Sequence, residues 1–331
     1  MTMAATALVL AGCSNDENEG MENGPVELRL TSGVTVQQTR ALEGTQSTTI
    51  SKDEVVSVWV NDAGSQNVPV TPLYDAVQLR ADGDNGLKGE SMYFPSTGNN
   101  IDIYAIHGKF SRLFSMGDIF PTDGVEYEVA ADQSNADDKS KYTNSDLLYA
   151  YEKGVKRSAQ VTTKELTFYH MLSKLELAIQ IGSGNPKLAE GNAVTLNDVV
   201  LKGKFTPSTT ATMSEQSARA GMLGKATSTT TGNMTLGDKT CKDFTSNVFY
   251  NEAILVPQDM KDKKLTFKLD GGDGTLTYTI PAFTDTPGKA IFESGKKYVY
   301  HITLDLTGLI VTSEIKNWEP VAAIEGSATM D

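Results

Sequence analysis

The feature that most constrains the fold of this chain is a two-residue alternation of apolar and polar side chains that recurs along most of its length. Apolar residues at every second position turn one face of an extended strand toward a core and leave the other face toward solvent. The alternation is clear at 26–30, 56–60, 101–105, 175–181 and 298–306. Convincing helical periodicity is scarce, so the sequence predicts an all-β protein.

A glycine-rich turn in the last quarter of the chain predicts a β-hairpin. Residues 265–269 and 276–280 show the same alternation, and Asp270-Gly271-Gly272-Asp273-Gly274 lies between them. Glycine and aspartate are favoured in tight hairpin turns, and Pro281 ends the second strand because proline has no backbone N–H to donate.

Polar, turn-forming stretches separate the alternating segments. We predict loops at 84–98, 131–145 and 207–237. The length of 331 residues is sufficient for two domains of about 100–200 residues each. The predicted boundary is Gly182-Ser183-Gly184-Asn185-Pro186, directly after the strand at 175–181.

The first residues of the chain predict export as a lipoprotein. Residues 1–12 carry no charged side chain and are mostly apolar, which is typical of a signal peptide. Leu10-Ala11-Gly12-Cys13 resembles the lipobox of bacterial lipoproteins, in which the signal is cut before the cysteine and the cysteine is acylated. The polar residues 14–20 are predicted to be a tether. The alternative for residues 1–13 is a short apolar helix with a buried cysteine.

Composition argues against several classes of function. The formal net charge of −13 disfavours broad electrostatic binding of nucleic acid. The chain has two cysteines and three histidines without a CxxC or HExxH motif, so no metal site and no cofactor are predicted. No apolar run reaches the roughly 20 residues that a membrane-spanning helix needs.

His170 and Cys241 are the candidates for a catalytic role, and we predict that neither has one. A general base needs an oriented partner and a nucleophile within reach, and no GxSxG or Cys–His motif surrounds His170. We expect a core or strand-edge histidine with a hydrogen-bonded ring. Lysines flank Cys241, a setting that can activate a thiol, but we expect a small unreactive residue there.

Two acidic stretches were candidates for cation binding. The first begins at Asp82 like a calcium loop, but its twelfth position is Tyr93, where an EF-hand needs a glutamate. The second contains Asp132, Asp137 and Asp138. We predict a polar turn at the first and a solvated loop at the second.

Several short segments, taken in their order along the chain, resemble the fimbrillin family of Bacteroides-type bacteria, which comprises the type V pilins and their associated subunits. The lipobox at Cys13 is the first of them. The others are Asp146-Leu147-Leu148-Tyr149-Ala150, Leu166-Thr167-Phe168-Tyr169-His170-Met171-Leu172-Ser173-Lys174-Leu175, Ala253-Ile254-Leu255-Val256-Pro257-Gln258, Phe292-Glu293-Ser294-Gly295-Lys296-Lys297-Tyr298-Val299-Tyr300 and Ile315-Lys316-Asn317-Trp318.

The resemblance implies two tandem transthyretin-like β-sandwich domains, here at 41–182 and 183–331. It also implies an outer-membrane lipoprotein that an arginine-specific protease matures by removing the first strand. The matching cleavage candidate is between Arg40 and Ala41, so residues 13–40 are expected to be a tether and a pro-segment strand. Removing that strand would open an apolar groove with unpaired backbone groups, which another chain's strand can fill.

A subunit that polymerises in this way must also donate a strand. The apolar or small residues Ala322, Ile324, Gly326, Ala328 and Met330 share one face of an extended segment, so 320–331 is the candidate donor strand. The alternative is an unpaired tail. The implied partners are pilin subunits of the same or another kind, the protease and the outer membrane through the lipid, and a host or bacterial surface ligand is left open.

Three functions are compatible with an exported all-β chain. The first is a structural subunit of a cell-surface fimbria that contributes to cell adhesion. The second is a surface glycan-binding lipoprotein that acts without a fibre, although Trp59 and Trp318 are not placed like an aromatic sugar platform. The third is a hydrolase, for which no motif is present. We predict the first function and no enzymatic activity.

Overall fold

The structure is a computed structural model that describes residues 24–34, 49–64, 72–108, 114–134, 140–158, 160–189, 193–209, 230–243, 248–272, 274–284 and 287–317. Within these residues the chain forms strands almost throughout, with one short helix, α1 (Ser140–Asn144), and a 3-10 turn at Asp270–Gly272. The prediction of an all-β fold is confirmed.

The strands in chain order are β1 (Glu27–Val34), β2 (Val55–Asp62), β3 (Pro72–Ala81), β4 (Gly86–Tyr93), β5 (Ile101–Gly108), β6 (Val125–Glu128), β7 (Leu147–Val155), β8 (Val161–His170), β9 (Ser173–Ile181), β10 (Val194–Val200), β11 (Lys202–Phe205), β12 (Thr231–Thr235), β13 (Gly237–Asp243), β14 (Val248–Leu255), β15 (Gln258–Asp259), β16 (Lys264–Lys268), β17 (Thr275–Thr279), β18 (Ile291–Phe292), β19 (Lys296–Asp305) and β20 (Gly308–Asn317).

The N-terminal half forms a closed seven-stranded barrel with the strand order β1-β4-β3-β2-β5-β7-β8. The predicted alternation explains its interior. Val56, Val58 and Val60 of β2 point inward and are fully buried, and Ile101 and Ile103 of β5 do the same. We call this cluster the barrel core.

The outer faces of the barrel differ around its circumference. On β2, β5 and β7 the outward side chains Trp59, Tyr104 and Tyr149 are also buried, in a second cluster that we call the aromatic core. These three strands are therefore covered on both faces. On β1, β4 and β8 the outward side chains are largely exposed or only partly buried, so this side of the barrel faces solvent.

The C-terminal half is built from a five-stranded sheet, β13-β14-β9-β19-β20, and a four-stranded sheet, β12-β10-β16-β17. Leu177 and Tyr300 of the first sheet and Leu196 of the second belong to the aromatic core. The predicted hairpin is confirmed, because β16 and β17 pair antiparallel with Phe267 opposite Leu276. The pairs β6–β11 and β15–β18 complete the described strands.

The division between the two halves differs from the predicted boundary at 182. The sequence suggests that β9 ends the N-terminal domain, but β9 pairs with β14 and β19 of the C-terminal sheet. The chain therefore passes from the barrel to that sheet at Met171 and Leu172. An alternation of side chains specifies a strand and its faces but not the sheet that the strand joins.

Each of the three predicted loops contains a short regular element. β4 lies within 84–98, α1 within 131–145 and β12 within 207–237. β4 was concealed because its residues 88–91 are all exposed and its sequence shows little alternation. No helix in the described part of the chain is long and apolar enough to cross a membrane.

Candidate assembly site

β1 is the strand that closes the barrel, and it lies between β4 and β8. It pairs in parallel with β8 over eight residues, from Glu27 opposite Val161 to Val34 opposite Phe168. On its other side it pairs antiparallel with β4 in an interrupted register. Loss of β1 would leave one edge of β8 and one edge of β4 without backbone partners, and unpaired edges are templates for another strand.

The inward face of β1 supplies part of the barrel core. Leu28 and Leu30 are each 3% exposed, and Val26, just before the strand, and Val34 are also buried in this core. Burying one such side chain contributes roughly 1.5–3 kcal/mol, so four contribute on the order of 6–12 kcal/mol. A whole domain is stable by only about 5–15 kcal/mol. The barrel therefore needs either β1 or a substitute for it.

The outward face of β1 contributes much less. Arg29 donates hydrogen bonds to the carboxylate of Glu27 at 2.9 and 3.1 Å, and the side chain of Arg29 is 62% exposed. An exposed ion pair of this kind contributes about 0–1 kcal/mol. What holds β1 is thus its apolar inner face and its backbone pairing.

The predicted processing and donor residues lie outside the described residues. In the chain, Arg40 and Ala41 fall between the end of β1 at Val34 and the start of β2 at Val55. Cys13 precedes the described part. The residues of the predicted donor strand that follow β20 are Ala322, Ile324, Gly326, Ala328 and Met330.

The motif around His170 lies where the barrel meets the five-stranded sheet. The ring N–H at Nδ1 of His170 donates to the carboxylate of Asp146, with 2.9 Å between Nδ1 and Oδ2. His170 is 5% exposed, so it is the buried, hydrogen-bonded histidine that the sequence predicts. Cys241 lies in β13, and its side chain is outside the description.

Backbone and hydroxyl bonds tie the end of β8 to the turn that precedes β19. The hydroxyl of Ser173 donates to the carbonyl oxygen of Glu293 at 2.8 Å, and the N–H of Gly295 donates to the carbonyl oxygen of Leu172 at 2.7 Å. Two of the short motifs that carry the family resemblance therefore contact each other at this junction.

Two buried ion pairs lie beside the same junction. Lys174 Nζ is 3.2 Å from Glu252 Oε1, with both side chains 1% exposed. Lys297 Nζ is 3.7 Å from Glu176 Oε2, with side chains 0% and 3% exposed. Loss of one partner of such a pair strongly destabilises the fold, because the other charge is then buried without compensation.

Tyr142 of α1 belongs to this polar cluster. Burial raises the pKa of Tyr142 well above its ordinary value, and the neighbouring carboxylate of Glu252 adds to the effect. The cluster was not predicted, because Lys174 and Glu176 alternate with leucines, a pattern that is typical of a strand with one solvent-facing side. Lys174 and Glu176 at alternate positions of a predicted strand were the available signal, but the sequence does not show which elements cover them.

The described parts of the two acidic stretches are polar turns, and Asp137 and Asp138 lie outside the described residues. Asp82 accepts hydrogen bonds from the backbone N–H groups of Asp84 and Gly86, and the bond from Asp84 is the main cause that lowers the pKa of Asp82. Asp132 accepts from the Ser134 hydroxyl at 2.6 Å, which lowers the pKa of Asp132. Among the described residues, no three His, Cys, Asp or Glu side chains are grouped so that they could hold a metal ion.

Comparison with known sequences gives a family match over most of the chain. The sequence profile of the family described as fimbrillin-like matches residues 39–318. A fimbrium subunit candidate, Fim1C of Bacteroides uniformis, is 25% identical over 338 aligned positions, which cover 96% of this chain and 93% of that protein.

Comparison with solved structures gives the same architecture. A candidate cell adhesion protein from Bacteroides ovatus superposes with a TM-score of 0.61 at 17% identity, covering 90% of this chain and all of that one. A similar protein from Bacteroides uniformis has a TM-score of 0.57 at 19% identity, covering 89% of this chain and 99% of that one. At these identities the likeness concerns the fold.

Proposed function

Because the chain belongs to the fimbrillin-like family, we propose that it is a structural subunit of a surface fimbria that assembles by strand exchange and contributes to cell adhesion. The observation that carries the proposal is the position of β1. It is the first described strand, it closes the barrel, and it pairs with another strand on each side.

In this proposal, maturation is a cut in the connection between β1 and β2. Cleavage after Arg40 by an arginine-specific protease would leave β1 held only by noncovalent contacts. The outward side of β1 faces solvent, so the strand can leave without disturbing the aromatic core. The groove between β4 and β8 would then accept a strand of another subunit by β-augmentation, with 320–331 as the donor.

Anchoring and adhesion complete the proposal. Acylation of Cys13 would attach the exported chain to the outer membrane before processing. Other subunits of the same or a different kind are the partners in the fibre. The role is structural rather than enzymatic, because the polar cluster around His170 is buried at a structural junction.

The alternative function, a glycan-binding lipoprotein that acts without a fibre, is less well supported. Sugar-binding platforms expose the flat faces of aromatic rings. Trp59 is instead fully buried, and its ring N–H donates to the carbonyl oxygen of Asp118 at 2.7 Å. Phe114 and Phe120 pack edge-on against its ring.

The proposal is tested by treating the purified chain with an arginine-specific protease and following heat-labile ladders on a gel. We expect trimming to begin the mature chain at Ala41 and to produce polymers. Arg40→Lys keeps the charge but removes the cleavage site, so it should block both steps. Arg29→Lys, in the paired strand β1, is the matched control and should process normally.

Two outcomes would contradict the proposal. A chain that is trimmed at Arg40, keeps its C-terminus and stays monomeric would not be a polymerising subunit. An Arg40→Lys chain that still forms heat-labile ladders would show that assembly does not depend on this cleavage. For the anchor, Cys13→Ala should abolish incorporation of fatty acid, and persistent labelling would refute acylation at Cys13.

A further inference from the structure

The two ends of β1 differ in what surrounds them on the outer surface. At the N-terminal end, Glu27 lies directly opposite Tyr93 of β4 and Val161 of β8. Tyr93 is 39% exposed and Val161 is 40% exposed. Residues directly opposite each other share one face of a sheet, so these two apolar side chains flank Glu27 on the solvent side.

The other end of β1 has no such pair. There the buried Phe168 lies opposite Val34, and the backbone N–H of Ser32 donates to the carbonyl oxygen of Asn85 in the polar turn that begins at Asp82. Within the described residues, no large apolar side chain is exposed at this end. The exposed side chains there are charged and of both signs: Asp84, Glu165, Lys52 and Lys88.

Two basic side chains lie beside the apolar pair at the Glu27 end. Lys156 and Arg157 lie in the turn between β7 and β8, a few residues before Val161. Neither forms an ion pair with a carboxylate of the described residues. The whole chain has a formal charge of −13. Residues 13–40 carry five acidic and two basic side chains, so the trimmed chain has a formal net charge of −10. A second copy would therefore be attracted to these two cations.

We propose that a second copy inserts its donor strand at the Glu27 end of the groove, so that the donor runs parallel to β8 as β1 does. The inference rests on the proposed strand exchange and adds its direction and its docking surface. We call Tyr93, Lys156, Arg157 and Val161 the groove mouth. The groove mouth contacts the residues of the second copy that precede its donor strand.

The direction follows from the order of segments in the donating chain. The candidate donor, 320–331, follows β20, so the body of the donating copy lies at the end of the groove where its strand enters. Entry at the Glu27 end places that body against two exposed apolar side chains and two cations. Entry at the Val34 end would place that body against a polar surface that carries both signs of charge and, among its described residues, no exposed large apolar side chain.

Backbone pairing is compatible with this direction. A donor that enters at the Glu27 end can repeat the eight-residue parallel register of β1 with β8. It can also repeat the antiparallel pairing of β1 with β4. The reverse direction would exchange both pairing types, so none of the existing register would be reused.

Disulfide trapping tests the direction. In trimmed protein that carries Cys241→Ser, the change Glu319→Cys introduces one cysteine just before the donor strand. A second cysteine is placed on the outer face of β8, either at the mouth by Val161→Cys or near the far end by Thr167→Cys, which lies opposite Gly33. We expect cross-links between copies with Val161→Cys and not with Thr167→Cys.

The outcomes separate this inference from the proposed function. If the parent trimmed protein forms no polymers, strand exchange is refuted and the direction falls with it. If polymers form and the cross-link is made through Thr167→Cys, or equally through both, the direction alone is refuted.

A second measurement tests the charge of the groove mouth. The double change Lys156→Glu and Arg157→Glu should slow assembly about tenfold or more at low salt, with the difference fading at high salt, because steering by charge is screened. Lys52→Glu, near the opposite end, is the matched control and should assemble at the parent rate. Equal slowing in both variants would contradict the assignment of the mouth.

Discussion

The two halves of the molecule bury their cores in different ways. The barrel core is almost entirely aliphatic, with Phe94 and Phe168 as its described aromatic members. The aromatic core that continues into the C-terminal half contains many tyrosine and phenylalanine side chains, and two ion pairs are buried beside it. The barrel is closed by a strand on its solvent side, whereas β9 is central in its sheet and buried on both faces.

This difference separates a replaceable element from permanent ones. Aliphatic cores tolerate changes of side chain when volume and pattern are kept, so another strand with small and aliphatic residues can occupy the place of β1. Aromatic contacts and buried ion pairs require specific geometry. The halves are therefore suited to different tasks in the proposed assembly: the barrel would accept an exchanged strand, and the junction and C-terminal sheets would keep the subunit rigid.

The largest expected effect concerns the buried ion pair of Lys174 and Glu252. Glu252→Leu should lower the free energy of unfolding by about 3–5 kcal/mol, because the buried charge of Lys174 loses the carboxylate of Glu252. The double variant Lys174→Met and Glu252→Leu should recover most of that loss, since the remaining apolar side chains need no partner. Urea unfolding of the uncut chain measures both.

An exposed pair in the same sheet is the control. His301 Nε2 lies 3.2 Å from Glu314 Oε1, with the side chains 54% and 41% exposed, and Glu314→Gln should have almost no effect on stability. If the double variant at 174 and 252 is as unstable as Glu252→Leu alone, the buried pair does not act as a coupled unit.

The next prediction compares one leucine from each half. Leu30 of β1 and Leu265 of β16 are 3% and 0% exposed. Each change to alanine should lower the free energy of unfolding of the uncut chain by about 2–5 kcal/mol. After trimming, Leu30→Ala should have no effect because β1 has left, and Leu265→Ala should keep its full effect. A remaining effect of Leu30→Ala in trimmed protein would mean that β1 stays bound.

Alkaline pH should distinguish the two cores. Burial raises the pKa of Tyr142 and Tyr149 well above the ordinary value, while the buried members of the barrel core include no tyrosine. Above about pH 10 these tyrosines lose protons only in the unfolded chain. The free energy of unfolding should therefore be unaffected below pH 10 and fall at higher pH, by about 1.4 kcal/mol per pH unit for each tyrosine.

Tyr142→Phe isolates the share of one tyrosine. The decline between pH 10 and 11 should become smaller by about 1 kcal/mol, because the unfolded tyrosine is half-ionised at pH 10 and almost fully ionised at pH 11. Tyr93→Phe, at an exposed position of β4, is the control and should leave the slope unchanged. An unchanged slope in Tyr142→Phe would show that this hydroxyl ionises as readily in the folded chain as in the unfolded one.

Much of the strand pattern could be predicted from the sequence, because alternation is a local property. β1, β2, β5 and β19 fall at the expected segments, and the hairpin of β16 and β17 is where its glycine-rich turn predicts. The sheet to which β9 belongs could not be predicted, because it depends on pairing with β14 and β19, which are distant in sequence.

The same limit applies to the candidate site. The family resemblance implies that the first strand is removable, and the structure adds that this strand closes a barrel. The groove mouth was not predicted, because Tyr93 and Val161 become neighbours only when β1 lies between them. The buried pairs were missed because a charged side chain at an alternate position indicates a solvent-facing side unless the covering element is known.

The smallest expected effect concerns a glycine inside the removable strand. Gly33 lies within β1, whereas the central strands β9 and β19 of the other half contain no glycine. A glycine in a strand interior weakens the strand, because it has no side chain to pack and loses more backbone freedom on folding. β1 is therefore bound less tightly than a strand of the same length without an interior glycine would be.

Gly33→Ala should strengthen β1 slightly. The backbone of Gly33 is outside the left-handed region, so alanine fits its conformation. An added Cβ would come within 2.8 Å of Oε1 of Glu165, the end of a flexible exposed side chain that can move aside. The uncut chain should gain about 0.4–1 kcal/mol from the lower entropy of its unfolded state, and the cut strand should leave the barrel more slowly, by about twofold to fivefold.

Gly24→Ala, before the strand and in open space, should change neither quantity. Size-exclusion chromatography of the cleaved protein over time measures the release of the β1 peptide. Faster release from Gly33→Ala would mean that the contact with Glu165 outweighs the gain, and that this glycine holds β1 in place rather than loosening it.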